Sequence, residues 1–430
     1  SSEPTVRGAV YSEVNGRVLR FKDGTTWTFG AGSQGFFFLT ALADRNGNQL
    51  TLTRSGATLN VTAVTAQDGR QLTLAYDAGN RITQITDPIG RVVQYQYGGS
   101  GRLVSLVDPE GGITWYVYDA AGRLVTLTDA RALTFLTNEY SPGSSRVLRQ
   151  TQVDGGIWKF RYQLSGARVT GPGCPAPGSQ DLWVVIEGTP ICPREESAEK
   201  VAQGYQFVGG VVTAATVLDP LDHMTTYRFN GAGHSVSQTD ALGQTTTFIR
   251  DGTSNQILSS IDPLGRTTRF EYDAAGNVIT ITDPNNQATR FEYYPTWNRV
   301  TKITDALNQV TALGYDLANG NLLTVTDPLN HVTTIAYNSF GQPTSVQGPI
   351  PSEPPTTFAY DTNGNLITTT DPLGHSTQRV YDAVSRLTAL TDPRGLITQF
   401  RYDGLNRVTD IADARQGLTR FTYDPNGKLL

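Results

Sequence analysis

Two cysteines, one methionine and four histidines are all that 430 residues hold of the side chains that most often carry metal, thiol or imidazole chemistry. His223, His331 and His375 each fall four residues after a turn aspartate, a slot that Arg91, Gln244, Arg266, Gln287 and Gln309 fill elsewhere, and His234 lies in another slot. On strand spacing His331 and His375 stand about 19 Å apart, too far for a shared metal. No Gly-Lys-Ser/Thr phosphate loop, Gly-x-Ser-x-Gly elbow or Cys/His pairing is present, so the sequence offers no enzyme and no cofactor site. A basic stripe is also missing: the net charge is −5, which excludes a nucleic-acid partner held by its phosphates. The longest apolar run, around Phe36-Phe37-Phe38-Leu39, is far short of the roughly 20 residues of a membrane helix. No segment sustains a 3.6-residue period with caps, so very little helix is expected. The chain opens on Ser1 and its only methionine is Met224. It therefore reads as processed, or as a piece of something longer, with any signal peptide already gone.

Both cysteines, Cys174 and Cys192, lie in one Pro/Gly-rich stretch. A disulfide stapling this loop is preferred over two free thiols. It would restrict the unfolded loop, typically worth about 2–4 kcal/mol, and would point to an oxidising compartment.

What is present is a motif returning every 21 to 23 residues almost from end to end. One copy runs Asp262-Pro263-Leu264-Gly265-Arg266-Thr267-Thr268-Arg269-Phe270-Glu271-Tyr272-Asp273-Ala274-Ala275-Gly276-Asn277, then Val278-Ile279-Thr280-Ile281-Thr282 and the next Asp283-Pro284. The tyrosine slot returns at Tyr76, Tyr97, Tyr118, Tyr140, Tyr272, Tyr293, Tyr315, Tyr337, Tyr360, Tyr381, Tyr402 and Tyr423. Aspartates follow it directly at Asp77, Asp119, Asp273, Asp382 and Asp403, and a second aspartate slot holds Asp87, Asp129, Asp262, Asp283 and Asp392. In Thr267–Asp273 the residues alternate in period two, the mark of a strand with one buried face, and Asn277–Thr282 alternates again. Asp273-Ala274-Ala275-Gly276 and Asp283-Pro284-Asn285-Asn286 carry turn chemistry. Each repeat is therefore a β-hairpin, and the chain an all-β antiparallel ribbon that buries its apolar face only against neighbours.

The repeated residues invite chemical readings that their spacing opposes. Equivalent aspartates one hairpin apart are about 9.6 Å apart, whereas calcium needs several oxygens within about 2.3–2.6 Å of one point. That spacing touches the upper edge of the roughly 6.5–9.5 Å of inverting glycosidase pairs, yet no pocket sets one carboxyl apart from the next. The aspartates read as turn caps. The tyrosine stripe reads as core rather than as a sugar-stacking platform.

Tyr118-Asp119-Ala120-Ala121-Gly122-Arg123-Leu124-Val125-Thr126-Leu127-Thr128-Asp129 closely resembles the YD-repeat, or Rhs-repeat, pattern, as does Tyr381-Asp382 through Arg386-Leu387 to Asp392-Pro393-Arg394-Gly395. The resemblance covers roughly residues 38–162 and 201–430. Residues 1–37 form atypical N-terminal strands, Arg54 fills the tyrosine slot, and 163–200 form an insertion projecting from the array. The family includes bacterial polymorphic toxins, the shell-forming component of insecticidal toxin complexes and the teneurins. Membership implies a ribbon spiralling into a hollow shell that, in the toxins, encloses a C-terminal effector. This chain stops at Lys428-Leu429-Leu430 inside a repeat, and Asp392-Pro393-Arg394-Gly395-Leu396 reads as an ordinary turn, so neither self-cleavage nor a toxic cargo maps onto any residue.

The leading expectation is a non-catalytic shell segment of a secreted or surface bacterial protein. Its partners would be an encapsulated C-terminal polypeptide or neighbouring repeats of a longer chain. The alternative is an adhesin-like array binding glycans or proteins through loops. Open first and last strands invite self-association through sheet edges. About 32 strands would give a ribbon about 150 Å long, roughly one turn of spiral.

Overall fold

The structure is a computed structural model that describes residues 10–12, 17–31, 36–165, 167–172, 174, 185–186, 189–190, 193, 195–203, 206–208 and 210–430. The alternation of each repeat becomes a strand pair. Thr267–Tyr272 pairs antiparallel with Val278–Thr282, which pairs in turn with Ala288–Tyr294. Strand by strand the meander builds one 36-stranded sheet. Val10–Ser12, Arg17–Arg20, Thr26–Ala31 and Phe37–Ala43 belong to the same sheet and pair in sequence. Alternate connections fall on opposite long edges of the ribbon. All turns of the Asp262 kind form one rim, and all turns of the Asp273 kind form the other.

One excursion interrupts the meander. Ile157–Ser165 pairs directly with Val211–Leu218, and of the described residues between them Glu195–Glu196 pairs back onto Tyr162 and Gln163 in the same sheet. Arg168–Thr170 and Gln206–Val208 make a separate two-stranded piece, and the only helix among the described residues is Ala198–Ala202, capped by Ser197. The sheet takes up again at Val211, a few residues after the sequence pattern resumes near Phe207.

A bulge at the tyrosine rim bends the ribbon. Tyr272 faces Val278 while Glu271 faces Thr280, leaving Ile279 without an opposite residue. The same slip occurs at Tyr76, Tyr118, Tyr381 and Tyr402. Each bulge kinks its strand and adds right-handed twist. Repeated on the same rim, the kinks accumulate and the ribbon coils.

The coil closes on itself. The Asp262-type rim of residues 22–131 meets the tyrosine rim of residues 275–426, through partners 253 to 315 residues apart. Leaving out the excursion between Ser165 and Val211, one turn of the spiral takes about 11 hairpins, a wall about 105 Å around and about 34 Å across. Strands otherwise touch their sheet neighbours, and no second layer covers either face among the described residues. The accessible surface, 25273 Å2, shows the consequence. A compact protein of 46.6 kDa would expose about 16000 Å2. The wall is one sheet thick and wet on both sides, a hollow spiral.

Tight packing is correspondingly scarce. Eight described apolar residues are buried, and five of them, Leu148, Leu164, Phe207, Ala214 and Leu218, lie in or beside the base of the excursion. Trp297 is the one large apolar side chain buried at the spiral seam.

Candidate functional site

Each hairpin end is built from its aspartate outward. The Asp262 carboxylate accepts from the Leu264 and Arg266 amides, both at 2.9 Å, and from Arg266 Nε at 2.6 Å. Gly265 takes a φ of +78°, and in the matching slot Asn286 takes +62°, a conformation that glycine and asparagine tolerate best. The opposite rim uses the same five-residue turn. Asp77 accepts from the Gly79 and Arg81 amides and pairs with the Arg81 guanidinium, and Asp119 pairs likewise with Arg123. Asp87, Asp382 and Asp403 have Arg91, Arg386 and Arg407 as partners, Asp273 has Asn277, and Asp129 and Asp392 are clasped by Arg131 and Arg394. Asp283 caps Asn285 and Gln287 through their amides. The three histidines of the slot join this pattern, with Nδ1 2.9–3.0 Å from Asp219, Asp327 and Asp371. Where the residue four places after the aspartate is arginine, asparagine or histidine, as at Arg266, Asn277 and His331, its side chain reaches the second carboxylate oxygen.

The tyrosine completes a brace between hairpins. Its hydroxyl donates to a carbonyl fifteen residues back, as from Tyr76 to Val61 at 2.8 Å, Tyr272 to Ile257 at 2.8 Å, Tyr381 to Leu366 at 3.2 Å and Tyr402 to Leu387 at 2.7 Å. Arg54 fills that slot and donates to Leu39 O, and Arg250, which the sequence pattern passes over, donates to Ser235 O at 2.7 Å. Tyr162 was likewise missed and bonds to Val147 O at 2.9 Å. Its position one period beyond Tyr140 was the available signal. The arginine four residues after the Tyr-Asp aspartate then leans on the next repeat's ring: Arg81 lies 4.7 Å from the Tyr97 centroid, Arg386 5.0 Å from Tyr402 and Arg407 4.8 Å from Tyr423. Arg102 stands 5.9 Å from Tyr118. Arg386 also donates to Asp403 O and Arg407 to Asp424 O. One motif therefore caps its own turn and fastens the following one.

Asp77, Asp119, Asp327 and Asp371 are held in their ionised form. The Arg81 side chain, then its amide, holds Asp77 below the ordinary carboxylate range; the Arg123 amide leads for Asp119, and the His331 and His375 amides lead for Asp327 and Asp371. A carboxylate with a depressed folded pKa stabilises the fold fully above its unfolded value of about 3.9 and loses that contribution as pH falls through the folded value. The melting temperature should accordingly stay nearly flat from about pH 7 to about 5 and drop steeply below about pH 4. Circular-dichroism melts that hold steady to about pH 3 would remove the turn carboxylates as a source of stability.

The seam supplies a second set of contacts. Arg70 Nη1 donates to Ser385 Oγ at 2.6 Å, Arg91 Nη1 to Gly404 O at 2.9 Å and Asn406 Oδ1 at 2.6 Å, and Asn48 to Phe340 O at 2.9 Å. Arg131 bridges Asp129 of one coil to Asp424 of the other at 2.7 and 3.0 Å, and Asn426 reaches Asp129. A shallow crevice lies here between Asp108, Asp129, Leu405 and Asn426. None of these residues forms an acid–base pair poised for catalysis: each carboxylate is already clasped by arginine or amide groups. Among the described residues no three His, Cys, Asp or Glu side chains come together as a metal site. No described helix is long and apolar enough to cross a membrane. Cys174 is described, with its amide 3.0 Å from Gly171 O, whereas Cys192 lies outside the described residues.

A single-layer antiparallel ribbon, braced at one rim by Tyr, Asp and Arg and wound into a hollow spiral, defines a β-hairpin repeat shell. The RHS Repeat family model matches seven times, at residues 57–88, 77–113, 251–288, 272–310, 315–349, 360–397 and 381–417. The chain belongs to the RHS-repeat family. Over 98% of its length it follows 24% of the chain in the crystal structure of TcdB2-TccC3-TEV, at 13% identity and a TM-score of 0.62. The crystal structure of TcdB2-TccC3 without its hypervariable C-terminal region aligns over 98% of this chain and 27% of that one, at 13% identity and a TM-score of 0.48. A Photorhabdus luminescens Tc holotoxin pore aligns over 94% and 26%, at 15% identity and a TM-score of 0.37. The chain thus spans about a quarter of the length of these neighbours. No curated protein sequence matches it.

Proposed function

We propose that this chain is a stretch of shell wall that encloses a polypeptide and carries out no chemistry of its own. It would serve a secreted or surface protein of toxin type, whose cargo and further RHS repeats lie elsewhere in a longer chain. The observation that carries this reading is a one-layer wall wound through more than a full turn around an open interior. Subtracting side chains from a wall about 34 Å across leaves a bore of about 24 Å. That width holds an extended or partly folded chain but not a compact 100-residue domain, whose radius of gyration is about 13 Å. Residues 163–200 project from the wall in this reading, stapled by a Cys174–Cys192 disulfide. Thiol titration of the unreduced protein that finds both cysteines free would remove the staple.

Negative-stain electron microscopy tests the reading. Class averages should show rings or short barrels with a stain-filled centre. Solid particles would overturn it, since a filled interior leaves no room for cargo.

A further inference from the structure

Strands place alternate residues on opposite faces, so one face of the wall carries the slot tyrosines and the other the residues one and three places before them. On that second face two stretches of strand hold no charged residue, from Gln49 to Thr137 and from Val310 to Gln399. Between them the face carries ions, Arg149, Arg161, Arg228, Arg269, Glu292 and Lys302 among them. The position three before the tyrosine slot holds threonine, glutamine, arginine or lysine in every hairpin but two, as at Thr73, Gln94, Arg269 and Gln378. One exception is Ala312. The other is Trp115, in the first uncharged stretch, and its ring is 46% exposed. Isolated exposed aliphatic residues such as its neighbour Val117 are ordinary, whereas a tryptophan in a slot of hydroxyls, amides and cations is not. Further coils of a longer chain would stack against the rims and leave this face as it is.

We propose that Trp115 and the row of side chains crossing it bind a neutral oligosaccharide. A sugar ring has an apolar face of C–H groups edged by hydroxyls, and its complement is an aromatic plane bordered by uncharged donors and acceptors. The register supplies that border: Gln96, Ser105, Trp115, Thr128 and Thr134 stand opposite one another on five consecutive strands. Ser105, 1% exposed, donates to Gln96 Oε1 at 3.2 Å, which orients the Gln96 amide and leaves its N–H groups as donors. On the other side of the ring the Thr128 and Thr134 hydroxyls bond to each other at 3.1 Å. These groups sit on paired strands rather than on loops, so their spacing is fixed before a ligand arrives. Five strands span about 19 Å, which suits several sugar units laid across the strands. The row has no cation to hold a sulfate, phosphate or uronate, and this selects a neutral ligand. The site does not depend on what the wall encloses.

Screening the whole chain against an array of neutral and acidic oligosaccharides tests this. Signal should be confined to neutral glycans, and titrating the bound one in solution should change the tryptophan fluorescence. Trp115→Ala should abolish binding even though the second uncharged stretch is intact. Gln96→Ala should weaken it about three- to tenfold, the worth of one neutral hydrogen bond. Both side chains are exposed, so both variants should keep the wild-type far-ultraviolet circular dichroism. An array without neutral signal overturns the proposal. So does a preference for sulfated or uronate-bearing glycans, or binding that survives Trp115→Ala.

Discussion

Replacing Trp297 by alanine should destabilise the seam by about 3–5 kcal/mol, the range for deleting a buried aromatic side chain. The ring is 6% exposed. It lies between two glycines on different coils: a Cβ on Gly24 would stand 2.6 Å from it, and one on Gly320 2.9 Å. Its Nε1 donates to Leu317 O at 3.4 Å. In a repeat array each unit leans only on its neighbours, so the loss should remain local. Hydrogen exchange should accelerate at the amides of Gly24 and Gly320, which close their turns on Phe21 and Asp316, while the Asp382 turn keeps its protection. Trp115, 46% exposed, is the control, and its alanine variant should shift stability by no more than about 0.5 kcal/mol. Wild-type exchange at Gly24 and Gly320 in the Trp297 variant would show that the ring does not hold the coils together.

The second large effect concerns the excursion. Glu196 is 0% exposed, and its carboxylate accepts from the Ser141 hydroxyl and pairs with the Arg146 guanidinium. Arg146 already has one buried nitrogen, Nη2, without a partner. Glu196→Ala leaves the whole guanidinium uncompensated, which costs about 3–5 kcal/mol when one partner of a buried pair is removed. Burial of an ion pair is not itself a strong source of stability. The double variant Glu196→Ala/Arg146→Met should therefore recover most of the loss, and the cycle measures the coupling. Limited proteolysis reads the outcome, because a released excursion should be cut between Ser165 and Val211 well before the ribbon. An alanine variant that resists cleavage like the wild type would mean that Glu196 does not anchor this segment.

Much of the wall was legible because its determinants are local. The alternation from Thr267 to Tyr272 and the offset from Asp273 to Asn277 act within a few residues, so strand and turn follow directly from the order of side chains. The tyrosine slot was legible as a position but not as a bond. Its acceptor lies fifteen residues back and depends on the register of two hairpins. Arg250 makes the same bond without a tyrosine, and Tyr162 makes it at the edge of the excursion, where the repeat pattern breaks off. The histidines read as polar strand-start residues, whereas the structure shows them closing the second oxygen of the turn aspartate.

The sequence by itself determined the hairpin, the places of its two turns, the all-β ribbon and the family. It did so because hydrogen-bonding and steric preferences within a turn act over four or five residues. Only the tertiary structure decided that Gly24 meets Trp297, that Arg131 meets Asp424 and that a buried Glu196 fastens the excursion. Those contacts depend on the radius of the coil, which sums a small bend at every bulge over about 11 hairpins. No single repeat encodes that sum, and the partners it brings together, 253 to 315 residues apart, share no fixed period.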